Sequence, residues 1–242
     1  NALAKVVNTP KPQPLAPEMP QVDVAAIRRV VDNCEAGYLG LEDIRTLLDA
    51  AGISRKMEVE VDNVDAAVDF ARKVGYPLVM KVVGPLHKSD VGGVVLNVKD
   101  EETVIREFNR LIKIPETYAV EIYPMLFGTE VFIGASKEEK FGHQVLFGLG
   151  GIFVEVMKDV KAALAPVSQS EALSLLKQLR GYKILKGVRG QEPVNEELFA
   201  ETVARVSALV TAAPEIAEMD LNPLLGTSQS ITAVDARIRI EK

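Results

Sequence analysis

The run GYPLVMKVV, from Gly75 to Val83, constrains this chain of 242 residues more than any other stretch. Pro77 just beyond Gly75 stops a preceding helix. Six residues from Leu78 are then apolar except for Lys81. A short apolar run of this kind reads as a strand. Alternation puts Lys81 on one face with Val79 and Val83. An ammonium is costly to bury without an anionic partner. Either Lys81 snorkels from an edge strand, or it is a point charge for a phosphate group.

The loop that follows, GPLHKSDVGG, ends in Gly92 and Gly93 and leads into VVLNV. The pattern predicts an antiparallel partner for the lysine strand across that loop. Glycines there permit close backbone approach to a ligand, and successive N–H groups can form an anion nest. His87, one of two histidines in the chain, stands in this loop beside Lys88 and Ser89. It could hydrogen-bond a phosphate, carry a proton or accept a phosphoryl group. A plain hairpin turn with a solvated histidine is the simpler alternative.

Before this hairpin, residues 24–34 and 41–51 have helical periodicity, MEVEV (57–61) alternates like a strand, and Asp62 or Asn63 caps a helix through Val74. Asp100 caps another, to about Lys113. The second half changes character. AVEIYPM, TEVFIGAS, HQVLFGLG and IFVEVM are four strand candidates separated by turns, an antiparallel meander rather than repeated βαβ units. Helices near 170–180 and 195–212 follow, then two strands, EIAEMDLNPLL and ITAVDARIRI, around the turn GTSQS. The expected class is α+β or α/β, in two lobes. We read residues 1–22, rich in proline, as a linker from a larger fused polypeptide. Residues 23–117 read as N-terminal helices plus a small lobe, and 118–242 as a large lobe, with a ligand cleft between.

Charge narrows the partners. Lys and Arg number 28 against 34 Asp and Glu, a net charge of −6. That argues against nucleic acid or an anionic membrane as partner. No apolar run reaches membrane-spanning length. The single cysteine, Cys34, suits a reducing compartment such as the cytoplasm and reads as a packed helix residue. With so few His and Cys, zinc is an unsuitable metal.

In MDLNPLL, Asp220 and Asn222 share a strand face, and Asp235 in AVDARI can lie on the neighbouring strand. Carboxylate and amide oxygens are hard ligands suited to Mg2+. The glycine run FGLGGIFVEV, with Gly150 and Gly151, lies between strand candidates. It is therefore neither a Walker loop nor a dinucleotide fingerprint. Glu121 and Glu130 are strand carboxylates that could accept from ribose hydroxyls or simply face solvent. His143, in FGHQ, reads as a surface turn residue.

The ordered segments GYPLVMKVVGPLHKSDVGGV, FGLGGIFVEV, LKGVRG, MDLNPLL and AVDARI resemble the ATP-grasp family. More narrowly, they are similar to the nucleotide-binding part of NDP-forming acyl-CoA synthetases. The β subunit of succinyl-CoA synthetase is a more distant relative. The resemblance implies an ATP-grasp fold with ATP or ADP and Mg2+ in the interlobe cleft. It places Lys81 on the nucleotide phosphates and makes the turn from His87 to Gly93, with Lys88, Ser89, Gly92 and Gly93, the phosphate loop. It assigns the Gly150–Gly151 run to nucleotide contact, Glu121 to the hinge that meets adenine and Glu130 to the ribose. Asn222 and Asp235 match the Mg2+ pair, and Asp220 an acidic position near the phosphohistidine docking site. Arg189 matches a family arginine of unassigned duty. The implied reaction is acyl-CoA + ADP + phosphate to acid + ATP + CoA, run with a CoA-binding, phosphohistidine-bearing part and with His87 relaying a phosphoryl group. The turn Glu-Glu-Lys-Phe-Gly-His, 138–143, departs from the family's usual Asp-x-x-Phe-Gly-Pro. A ligand-sensing ATP-grasp-like module of a protein lysine acetyltransferase is the alternative that the resemblance leaves.

Overall fold

The computed structural model describes residues 18–85, 91–151, 154, 159–188 and 190–242. His87, Lys88, Ser89 and Arg189 lie outside the described residues. So does most of the IFVEVM stretch.

Among the described residues, two antiparallel sheets carry the fold. The small one has the order β2-β5-β3-β4, where β2 is Val59–Val61, β3 Leu78–Val83, β4 Val94–Val98 and β5 Ala119–Pro124. Helices α3 (Val64–Val74) and α4 (Glu101–Leu111) cover one of its faces. Their starts follow from side-chain caps: Asn63 accepts from the Ala66 N–H at 2.9 Å, and Asp100 from the Thr103 N–H at 2.8 Å. Gly75 ends α3 with a positive φ of 83°, a conformation that favours glycine. Under these helices pack Leu78, Met80 and Val82 of β3 with Val120 and Ile122 of β5. Period-two alternation then turns Val79, Lys81, Val83, Glu121 and Tyr123 to the opposite face.

The large sheet runs β1-β11-β9-β6-β7-β8, with β10 also pairing β9. Its strands are β1 Gly37–Tyr38, β6 Thr129–Glu138, β7 Gly142–Leu149, β8 Val160–Leu164, β9 Ile216–Gly226, β10 Ile231–Ala233 and β11 Ala236–Ile240. Helices α5 (Gln169–Leu176), the short α6 (Tyr182–Leu185) and α7 (Glu196–Ala212) belong to this lobe. Its core joins Val131, Phe147, Leu149, Phe199, Met219 and Leu221, all essentially inaccessible.

Three expectations change. First, α1 (Val24–Asn33) and α2 (Leu41–Ala50) form where periodicity predicts, but they belong to the large lobe. Ile27, Val31, Ile44 and Leu47 join its core. Second, β5 leaves the meander to pair with β2 and β3, so the small lobe extends past residue 117, through Pro124. An amphipathic stripe states that a face is buried, not what buries it. Third, His143 is buried rather than a surface turn residue. Its Nε2 meets the Ile216 carbonyl at 2.6 Å and so ties β7 to the start of β9. Cys34 packs partly buried against the large core, as its helix spacing predicts. Among the described residues no helix is long and apolar enough to cross a membrane.

Candidate functional site

The uncovered face of the small sheet looks onto the large lobe across a cleft. One cavity there, of about 410 Å3, is lined by Lys56, Glu58, Lys81 and Glu121 on one side and by Asp235 and Arg237 on the other. Lys81 is half-buried in mid-strand, paired to Val94 of β4 and to Glu121 of β5. It is therefore not an edge residue snorkelling outward. Burial, reinforced by the Lys56 ammonium, holds its pKa below the ordinary lysine value. An ammonium so placed gains most from an added anion.

Glu121 is an interior residue of β5, not part of the Met125–Gly128 connection between lobes. The strand runs through Pro124, so the carboxylate faces the cleft beside Lys81. There it accepts from Lys56 Nζ at 2.5 Å. Lys56 also meets Glu58 at 2.8 Å, and Glu58 accepts from Arg45 Nε of α2 at 3.1 Å. Burial opposes the charge on Lys56, but Glu121 and Glu58 hold its pKa above the ordinary value. Burial, and contact with Glu121, raise that of Glu58. The Tyr123 ring lies 4.0 Å from Lys56 Nζ and 5.0 Å from Lys81 Nζ, and burial pushes its hydroxyl up to about 12.

Across the cleft, Leu221 and Met219 point into the core, so Asp220 and Asn222 face the other way. β9 pairs Asp220 with Arg237 and Leu221 with Ala236. One step further, the Asn222 N–H donates to the Asp235 carbonyl at 3.3 Å. Residues directly opposite on antiparallel strands point to the same side. Asp220 thus shares a side with Arg237, which lines the cleft cavity together with Asp235. The predicted strand ITAVDARIRI breaks at Val234–Asp235, between β10 and β11, so Asp235 sits at an irregular turn. Asp220 has a buried Oδ1 with no hydrogen-bond partner among the described residues, and burial raises its pKa. An amide, a carboxylate and a neighbouring orphaned carboxylate oxygen suit a hard divalent cation such as Mg2+.

A second cavity, of about 430 Å3, opens next to the connection between lobes and is lined by Glu130, Gly150, Ile184, Val188 and Gln191. The Gly150 N–H donates to the Glu130 carbonyl at 2.9 Å. Gly151 has a φ of +56°, and a Cβ there would stand 2.1 Å from Glu130 Oε2. Glycine at this turn leaves the room that the Glu130 carboxylate occupies. Glu130, Gly150 and Gly151 are therefore one unit, separate from the Lys81 cluster. Gly92 and Gly93 close the loop of His87; the Gly93 carbonyl accepts from the Val82 N–H at 2.9 Å, beside Lys81.

Sequence reasoning missed Lys56, Glu58 and Tyr123. Alternation in KMEVEV puts Lys56, Glu58 and Glu60 on one face, and in AVEIYP it joins Glu121 to Tyr123. That the two faces meet is a matter of sheet order, which no local pattern states.

The profile of the ATP-grasp domain family matches residues 31–240. The β subunit of ADP-forming acetate–CoA ligase I of Pyrococcus furiosus is 38% identical over 227 residues, 89% of this chain and 98% of that protein. ADP-forming acetate–CoA ligase II of Archaeoglobus fulgidus is 40% identical over 203 residues, 80% of this chain but only 29% of that longer polypeptide. A solved structure of the dinucleotide-forming acetyl-coenzyme A synthetase 1 of Ca. Korarchaeum cryptofilum is 35% identical. It superposes with a TM-score of 0.76, covering 90% of this chain and 100% of that one. That protein was solved with coenzyme A and Mg-AMPPCP, its phosphohistidine segment pointing towards the nucleotide site. The chain belongs to the ATP-grasp family, in the branch formed by the β parts of ADP-forming acetate–CoA ligases.

Proposed function

We propose that this chain is the nucleotide-binding and phosphoryl-transfer part of an ADP-forming acid–CoA ligase. It binds ATP or ADP with Mg2+ in the interlobe cleft. It acts with a CoA-binding part that presents a phosphohistidine, as a cytoplasmic protein. The observation that carries this reading is one cavity in which the half-buried ammonium of Lys81, on the small sheet, stands across from Asp235 of the other lobe; the Asp235 carbonyl in turn accepts from the Asn222 N–H.

Phosphoryl transfer asks a protein for positioning and for neutralisation of spreading negative charge. Lys81 supplies a fixed cation from a strand rather than a loop. Asn222 and Asp235 would hold Mg2+, which when bound neutralises phosphate oxygens and orients them. Asp220 adds negative charge near the place where the partner's histidine would dock. The Glu130–Gly150–Gly151 unit offers a carboxylate for ribose hydroxyls beside the connection that would meet adenine. His87 is the proposed phosphoryl acceptor within this chain; it would take the γ-phosphoryl of ATP on a ring nitrogen, with ADP leaving.

The test supplies the CoA-binding part and follows label from γ-labelled ATP into protein. Transfer that is lost in His87→Ala, with nucleotide affinity intact, supports the assignment. Unchanged transfer in that variant removes His87 from the pathway, and no nucleotide binding by the wild type refutes the function as a whole.

A further inference from the structure

Lys81 and Glu121 are direct cross-strand partners on the small sheet. Opposite residues of an antiparallel pair lie close enough for a lysine and a glutamate to form an ion pair. They do not form one: among the described residues no salt bridge to Lys81 occurs, and Glu121 is bonded to Lys56 instead. The origin of Lys56 matters. The segment that carries it is pinned to the large lobe, where the Lys56 N–H donates to the Ala233 carbonyl at 2.9 Å and the Ala233 N–H donates to that of Ser54 at 2.8 Å. From this anchor, two residues before Asp235, the Lys56 side chain reaches the small sheet and lies nearly inaccessible between Glu121 and Glu58. The same Tyr123 ring borders both ammonium groups.

Resting on the nucleotide-binding reading above, we propose that Lys56 is a positioning residue: by engaging Glu121 it keeps that carboxylate off Lys81 and so leaves the Lys81 ammonium available to the nucleotide phosphates. Without Lys56, the nearest anion to Lys81 is its own cross-strand neighbour. A carboxylate bound to Lys81 must be displaced before a phosphate can bind, and it repels the phosphate as well. The raised pKa of Lys56 and the lowered pKa of Lys81 have the signs that this division of partners requires. Lys56 touches no reacting atom in this scheme; it acts through Glu121.

The experiment titrates ATP with MgCl2 into the 242-residue chain by calorimetry, for the wild type, Lys56→Met and the double variant Lys56→Met/Glu121→Gln. Lys56→Met should weaken ATP by roughly tenfold or more, the scale of one misplaced unit charge at contact distance in a partly screened cleft. The double variant should recover most of that loss, because an amide cannot neutralise Lys81. A purely structural Lys56 would show no such recovery, since the second substitution removes still more of the buried network. Wild-type affinity in Lys56→Met, or a double variant as weak as the single one, overturns the proposal. A wild type that does not bind ATP refutes the nucleotide reading, and this inference with it.

Discussion

Replacing Lys81 with methionine should move two measurements in opposite directions. The side chain is half-buried on a strand whose neighbours Met80, Val79 and Val82 are almost inaccessible, and methionine fits the stem's path. Burial already disfavours the ammonium in the empty protein, as its lowered pKa states. Removing the charge therefore relieves a desolvation cost, and the melting temperature should hold or rise. The nucleotide loses a charge-assisted contact worth about 1.5–3 kcal/mol net. By affinity arithmetic that is roughly a 10- to 150-fold weaker Kd. Calorimetry with Mg-ATP and a thermal melt of the same samples read both quantities. A fall in melting temperature with unchanged Kd would make Lys81 a structural residue and refute the reasoning.

Three further outcomes follow from the same geometry. Asp235→Ala should abolish the gain in ATP affinity that Mg2+ confers while sparing the melt, read by calorimetry with and without MgCl2. Because the folded Lys81 pKa lies below the ordinary lysine value, its ammonium is lost on the alkaline side earlier than usual. ATP affinity should thus decline with rising pH before an ordinary lysine titrates, and the Lys81→Met variant should lack that decline. Gly148→Ala should destabilise the large lobe by about 1–3 kcal/mol in urea unfolding, since a Cβ there would stand 2.4 Å from the Asp159 carbonyl oxygen.

Much of this was legible in the chain. The strands around Lys81 and the Asn63 and Asp100 caps are local facts, written in period-two alternation and side-chain chemistry. The backbone contact between Asn222 and Asp235 was readable too, because a short turn joins the two segments. What failed was non-local. That the strand of Glu121 is paired on both sides within the small sheet, with β2 and β3, is stated by no local pattern. Helices α1 and α2 precede the small lobe in sequence yet fill the core of the large one, since burial pattern does not identify the covering surface. Lys56 escaped notice because its meaning depends on an anchor at Ala233, far along the chain.

The central claim is that one triphosphate spans the two lobes. A crystal structure of the chain with Mg-AMPPCP tests it most directly. The account predicts phosphate oxygens within hydrogen-bond reach of Lys81 Nζ, with the metal on Asn222 and Asp235. A nucleotide whose phosphates lie away from Lys81, or a metal that leaves Asn222 and Asp235 untouched, would contradict it.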